Sequence, residues 1–199
     1  MNADEPLVRR GEVASALAAE HPGLWLAWTE VEATPGPTPR ELAARLRGHA
    51  DRIGGAQALA LRGRDVPHAH RVFFRHVGLD PDVVRTPVEA VAFRRLLEGG
   101  LHPRNLVDDA CTVAVLETGV GVFAFDADHV VGALRLREHD GVLVIADDDG
   151  PVSVLFGDPE ARAAVTRATR RIALVAVAVP NVPDLFVEEA LWTCLELLE

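Results

Sequence analysis

"RNLVDDACTVAVLETGVGVFAFD", residues 104–126, changes its pattern halfway along. Leu106, Val107, Ala110, Val113, Ala114 and Leu116 leave residues 105–118 apolar on most sides, as in a buried helix. Gly119 ends that helix, because glycine adopts the left-handed C-terminal conformation without steric cost. The segment 121–125 then reads as a strand. Asn105, Asp108, Asp109 and Thr112 fall on one stripe of the helix, at i, i+3, i+4 and i+7. Burying such a stripe unpaired costs about 2 kcal/mol or more per group, and more for a charge. It must therefore meet backbone donors, an arginine or a ligand. Asn105 is also placed to cap the helix.

Upstream, the pattern predicts a helix over 7–19 and a strand over 24–33, with Trp25, Ala27, Thr29 and Val31 on one face. "TPGPTPR" (34–40) is a Pro-rich turn leading to a helix, with Thr38 as N-cap and Pro39 at its first position. Leu42, Leu46, His49 and Ile53 share a face of that helix, which stops at Gly54-Gly55. Further helices are predicted over 68–77 and 87–98. Downstream, strands are predicted over 131–137, 141–146, 151–156 and 171–179, with turns at Asp140-Gly141 and Asp148-Asp149-Gly150. Asp158 and Pro159 read as the cap and first turn of a short helix reaching about Arg170, and 183–198 as a closing helix. Helices concentrated in the N-terminal half and a mixed or antiparallel sheet in the second half give an α+β class. The expectation is one domain over 1–199, with 1–64 as its N-terminal helix–strand–helix part and 181–199 as its closing helix.

Composition narrows the chemistry. The 199 residues are 49% hydrophobic and 25% charged, as in a soluble globular protein. All 20 basic residues are arginine, and tyrosine is absent. A phosphate loop with its lysine, a pyridoxal Schiff base and a Ser–Lys dyad are therefore excluded. No GxSxG elbow or GxGxxG turn occurs. The longest apolar run, Ile172 to Val179, ends at Pro180 and is far short of the roughly 20 residues that span a membrane. "MNADEPLVRR" lacks the apolar run of a signal peptide, and two cysteines make no disulfide framework. These features suit a cytoplasmic protein that needs no cofactor.

The net charge of −10 is uneven: residues 101–199 carry 7 Arg and 17 acids, whereas 1–100 balance at 13 of each. Between Arg62 and Arg104 eight arginines face five acids, making this segment the plausible supplier of any nucleic-acid contact. A solvated surface is the alternative. His68, His70 and His76 invite a metal reading, but on a helix His68 and His70 point about 200° apart and cannot share an ion. No metal site is expected. In "FGDPEAR" (156–162), Gly157 permits close backbone approach, and the helix start after it would offer free N–H groups to an anion. A plain strand-to-helix turn accounts for the same residues. Asp126, Asp128 and His129 form either a carboxylate–imidazole site or only the bend after the strand.

Residues 104–126, followed by strands and then "DGPVSVLFGDPEARAAVTRATRRIALVAV" (149–177), resemble the B3/B4 domain of the phenylalanyl-tRNA synthetase β chain. The resemblance spans about 65–180. Upstream, "FFRHVGLDPDVVRTPVEAVAFRRLL" (73–97) looks like the free-standing members of that family. Its anchors are Asn105, Val107, Asp108, Gly119, Ala124, Phe125, Asp126, Pro151, Val152, Val165 and Thr166. The resemblance implies a B3/B4-like fold, an aminoacyl-tRNA or small amino-acid ligand, and hydrolysis of a mischarged ester by a positioned water. In this sequence Phe123 replaces the His of the synthetase's His-Ala-Phe-Asp turn, while Asp126 keeps its Asp. Ala110 and Cys111 replace a pocket Thr-Asn pair, and Arg162 replaces a Glu that reads the tyrosine hydroxyl. Tyrosine selectivity therefore does not carry over. The roles implied are Asn105 and Asp108 orienting substrate or water, and Arg162 meeting an acceptor group. Gly157 would give backbone approach, with Cys111 and Phe123 as wall residues and Asp126 at the pocket border. A non-catalytic binding module that keeps the fold is the alternative. The apolar closing helix suits either the core or a homodimer surface.

Overall fold

The computed structural model describes residues 7–199; the reading of the first six residues lies outside them. The α+β class is observed, as two four-stranded sheets and seven α-helices among the described residues. The first sheet runs β1 (Arg9–Arg10), β3 (Trp25–Glu32), β8 (Arg171–Ala178), β4 (Gly121–Asp126), antiparallel throughout. The second runs β2 (Glu12–Val13), β5 (Arg135–His139), β6 (Val142–Ala146), β7 (Pro151–Val154), with only β2–β5 parallel. The strands of the second half thus do not form one sheet: β8 and β4 join β3, while β5–β7 stand apart.

The uninterrupted apolar run explains the place of β8. Ile172 to Ala178 are wholly buried, because the strand lies between β3 and β4 and is covered on both faces. Val175 sits beside Trp28 on one neighbour and Phe123 on the other. Helices α6 (Leu106–Thr118) and α7 (Asp184–Leu198) pack on each other and on this sheet. Val187, Ala190, Leu191, Cys194 and Leu195 of α7 are buried in the chain's own core, and Leu185 and Trp192 stay exposed.

Three elements differ from expectation. The helix over 7–19 is replaced by β1, β2 and a short α1 (Ser15–Glu20). Gly11 stands where the chain passes from one sheet to the other: a Cβ there would lie 2.5 Å from the Leu134 carbonyl oxygen and 2.6 Å from Leu26 Cδ1. Ladder bonds to β3, with Arg9 and Arg10 stacked over Trp28 and Trp25, outweigh weak local helix propensity. The second difference is the helix from Asp158 to about Arg170. That segment is turns pinned to strand edges, through Ser153 beside Pro159 and Ala164 beside Phe125. Third, the strand expected from 131 begins at Arg135, after a bend in which Gly132 has φ +74°.

The remaining helices are α2 (Arg40–Arg52), α3 (Gly55–Ala60), α4 (Asp65–His76) and α5 (Pro87–Glu98). Buried side chains of both sheets belong to one continuous cluster, including Leu26, Val175, Leu136 and Ile145. No helix of the described residues is long and apolar enough to cross a membrane.

Candidate functional site

The N-terminus of α6 opens on a cleft of about 740 Å³ with three walls. Arg104, Asn105 and Asp108 form one, Pro35, Gly36 and Pro37 the second, and Val165, Thr166 and Arg167 the third. The Pro-rich loop is tied to the helix at two points. The Leu106 N–H donates to the Gly36 carbonyl at 2.9 Å. Buried Asp109 accepts from the Thr38 hydroxyl and, at 3.0 Å, from the Arg104 N–H. Thr38 therefore makes no cap for α2, contrary to expectation; its hydroxyl is used seventy-one residues away.

Every member of the polar stripe on α6 has a partner. Asn105 Oδ1 accepts from the Asp108 N–H, and its Nδ2 donates to the Asp108 carboxylate, both at 2.9 Å. The Thr112 hydroxyl donates to the Asp108 carbonyl at 2.8 Å and accepts from Arg94 at 3.3 Å. Burial and the nearby charge of Arg104 hold the Arg94 guanidinium below its usual pKa. The Leu106 N–H is bonded to Gly36 and the Asp108 and Asp109 N–H groups to Asn105, so polar recognition in the cleft rests mainly on side chains. Exposed Asp108, with Arg104 and Arg167, supplies its charge.

The other expected site residues lie elsewhere. Both terminal nitrogens of Arg162 are taken up by protein: they bond both oxygens of Asp147, at 2.7 and 3.0 Å, and the carbonyls of His129, Gly150 and Pro151 at 3.0 Å each. Burial alone would push the Asp147 carboxyl up, but Arg162 and the Val131 and Asp149 amides outweigh it and hold the pKa below the usual value. Gly157 closes a turn, its N–H donating to the Val154 carbonyl at 2.9 Å, and no helix follows it to present N–H groups. Phe123 stacks parallel to Phe125 at 6.4 Å and against Phe156 at 6.0 Å. Cys111 is half-buried one turn beyond Asp108, facing Cys194 of α7.

Asp126 is buried at the end of β4. It accepts from the Thr169 hydroxyl at 2.6 Å and the Asp128 N–H at 3.1 Å, with His129 Nδ1 3.4 Å away. A bend is thus built there, and the imidazole is mostly exposed at its rim. Among the described residues no group of three or more His, Cys, Asp or Glu is placed to hold a metal ion.

The arginines between Arg62 and Arg104 do not share one face. Buried Arg71 bonds Asp82 at 2.8 Å and Glu89 at 2.9 Å, and Arg62 joins the same two carboxylates at 3.1 and 3.3 Å. Arg85 lies over the Phe93 ring, and Arg95 donates to the Ala50 carbonyl. Only Arg104, with Arg94 beside it, reaches the cleft. Sequence reasoning missed Arg167, the Pro35–Pro37 wall and the anchor Asp109–Thr38, which meet only through long-range packing.

No family model matches the chain. Among curated proteins, the phenylalanine–tRNA ligase β subunit of Cutibacterium acnes is 33% identical over 97 residues. That alignment covers 40% of this chain and 12% of the ligase subunit. The chain therefore carries a segment distantly similar to part of a phenylalanine–tRNA ligase β subunit.

Proposed function

We propose that the cleft at the N-terminus of α6 binds the aminoacyl end of a tRNA, or a related amino-acid ester, and hydrolyses it. The observation that carries this reading is the Asp108 carboxylate, oriented by Asn105 in a cleft flanked by Arg104 and Arg167. A carboxylate in that place accepts a hydrogen bond from a substrate ammonium or from a water beside the ester carbonyl. The two guanidinium groups suit the phosphodiester of an RNA end. The cleft's 740 Å³ lies within the size range of small-ligand sites. Positioning a water beside the ester carbonyl supplies the rate effect, so the lack of a nucleophile–base pair at the cleft is compatible with hydrolysis. The ligase similarity supports the substrate class.

The test is ester loss from a panel of cognate and mischarged aminoacyl-tRNAs incubated with the purified chain. The expected result is selective loss of one or a few esters, slowed about tenfold or more in Asp108→Asn. An intact panel at protein in excess over tRNA overturns the catalytic reading.

A second reading, a binding module without turnover, is favoured by one observation: Asn105 and Asp108 already satisfy each other as a helix cap. It predicts that a non-hydrolysable aminoacyl-adenosine analogue raises the melting temperature while every ester survives.

A further inference from the structure

We propose that the opposite end of α6 forms a second binding site, for a small organic anion with an apolar body. Two hollows of about 520 and 420 Å³ meet there and share Leu61, Arg64, Val88, Leu116 and Glu117, so they form one groove. Glu117 lies nine residues beyond Asp108 on a helix that rises 1.5 Å per residue. The groove is therefore about 13 Å along the axis from the cleft described above.

The two ends of the groove differ in chemistry. At one, Arg45, His49 and Arg52 project from α2, with Arg64 from the start of α4. At the other, Pro67, Pro183 and Phe186 continue the apolar floor made by Leu61, Val88 and Leu116. The carboxylate at the junction is already neutralised. Glu117 receives Arg45 at 2.9 and 2.6 Å and His49 at 2.8 Å. Although burial opposes ionisation, these partners hold its carboxyl below the ordinary pKa.

Two cations are left over. The Arg52 Nε–H donates only to the Gly48 carbonyl of its own helix, and the Arg64 guanidinium has no hydrogen-bond or ion-pair partner among the described residues. Among the described residues, Asp65 is the only other carboxylate on the lining. A local cluster of guanidinium groups attracts anions even on a chain of net charge −10. Guanidinium forks match a carboxylate or a phosphate, and the adjoining floor rewards an alkyl or aryl body with apolar burial.

The experiment is calorimetric titration of the full chain with octanoate and phenyl phosphate, with inorganic phosphate and octanol as controls. At least one organic anion is expected to bind, about tenfold or more tightly than either control. Arg52→Ala and Arg64→Ala, both at exposed positions, are expected to weaken that binding about tenfold each. Asp108→Asn is expected to leave it unchanged, which separates this site from the ester cleft. Absence of binding by both organic anions overturns the proposal. So does inorganic phosphate binding as tightly, or affinity that survives loss of both arginines.

Discussion

Arg162 grips Asp147, fifteen residues away, with two guanidinium nitrogens at 2.7 and 3.0 Å, and the Asp147 side chain has no solvent exposure. The same carboxylate accepts the N–H groups of Val131, Asp149 and Gly150 at 2.9 to 3.0 Å. An arginine that the sequence offers as a ligand-reading group is thus the staple that closes the second sheet's turn.

Removing that staple should be costly. Arg162→Ala strands a buried carboxylate, and with three amide donors left the loss falls at the low end for a broken buried pair, about 3 kcal/mol. The sign with pH follows from the depressed carboxyl. Its stabilisation is present above the ordinary value of 3.8 and is lost as pH falls through the folded pKa. In urea denaturation the gap between wild type and variant should be largest at neutral pH and narrow below about pH 4. A constant gap would assign the effect to packing alone.

Asp109 anchors the cleft's second wall. Asp109→Ala leaves the Arg104 N–H without its acceptor and frees the Thr38 hydroxyl, at a cost of about 2 kcal/mol. The loop 34–37 should then become the first site of limited proteolysis, while Thr38→Val should produce a smaller change in the same direction. Unaltered cleavage of that loop in Asp109→Ala would show that the Leu106–Gly36 bond holds it unaided.

His70 is buried against Phe156 at 5.5 Å between ring centroids. Its Nδ1–H donates to the Val66 carbonyl at 3.0 Å, leaving Nε2 without a partner among the described residues. Burial pushes its pKa down from 6.5 to about 4. The unfolded chain therefore takes up a proton that the folded chain refuses. Stability is full above about pH 6.5 and falls as pH drops toward 4, by about 2 kcal/mol between pH 7.5 and 5. His70→Leu should remove this slope, measured as denaturation free energy at the two pH values. An equal slope in the variant would place the proton uptake elsewhere.

The legible parts of this fold were those that local chemistry decides alone. The apolar run ending at Pro180 could only be a covered strand, and β8 is covered on both faces. Asn105 and Gly119 bracket α6 as its cap and left-handed stop, with φ +79° at the glycine. The 7–19 segment differs from its expected helix because two-residue strands have no periodicity of their own. Their identity comes from the edges of β3 and β5 that they complete. Asp158-Pro159 carries a helix-start signal, yet the strand edges at Ser153 and Phe125 capture the segment instead.

Local patterning along the chain dictates the α+β class, the buried helix 106–118 with its polar stripe, and the requirement that the stripe be satisfied. Which partner satisfies each group depends on long-range packing. Thr38 and Asp109, or Arg162 and Asp147, meet across separate elements, and hydrogen bonds of that kind leave no period in the chain. The same holds for the cleft. Asn105 and Asp108 could be singled out by spacing, but Arg167 and the Pro35–Pro37 wall reach them only once the sheets and helices have packed.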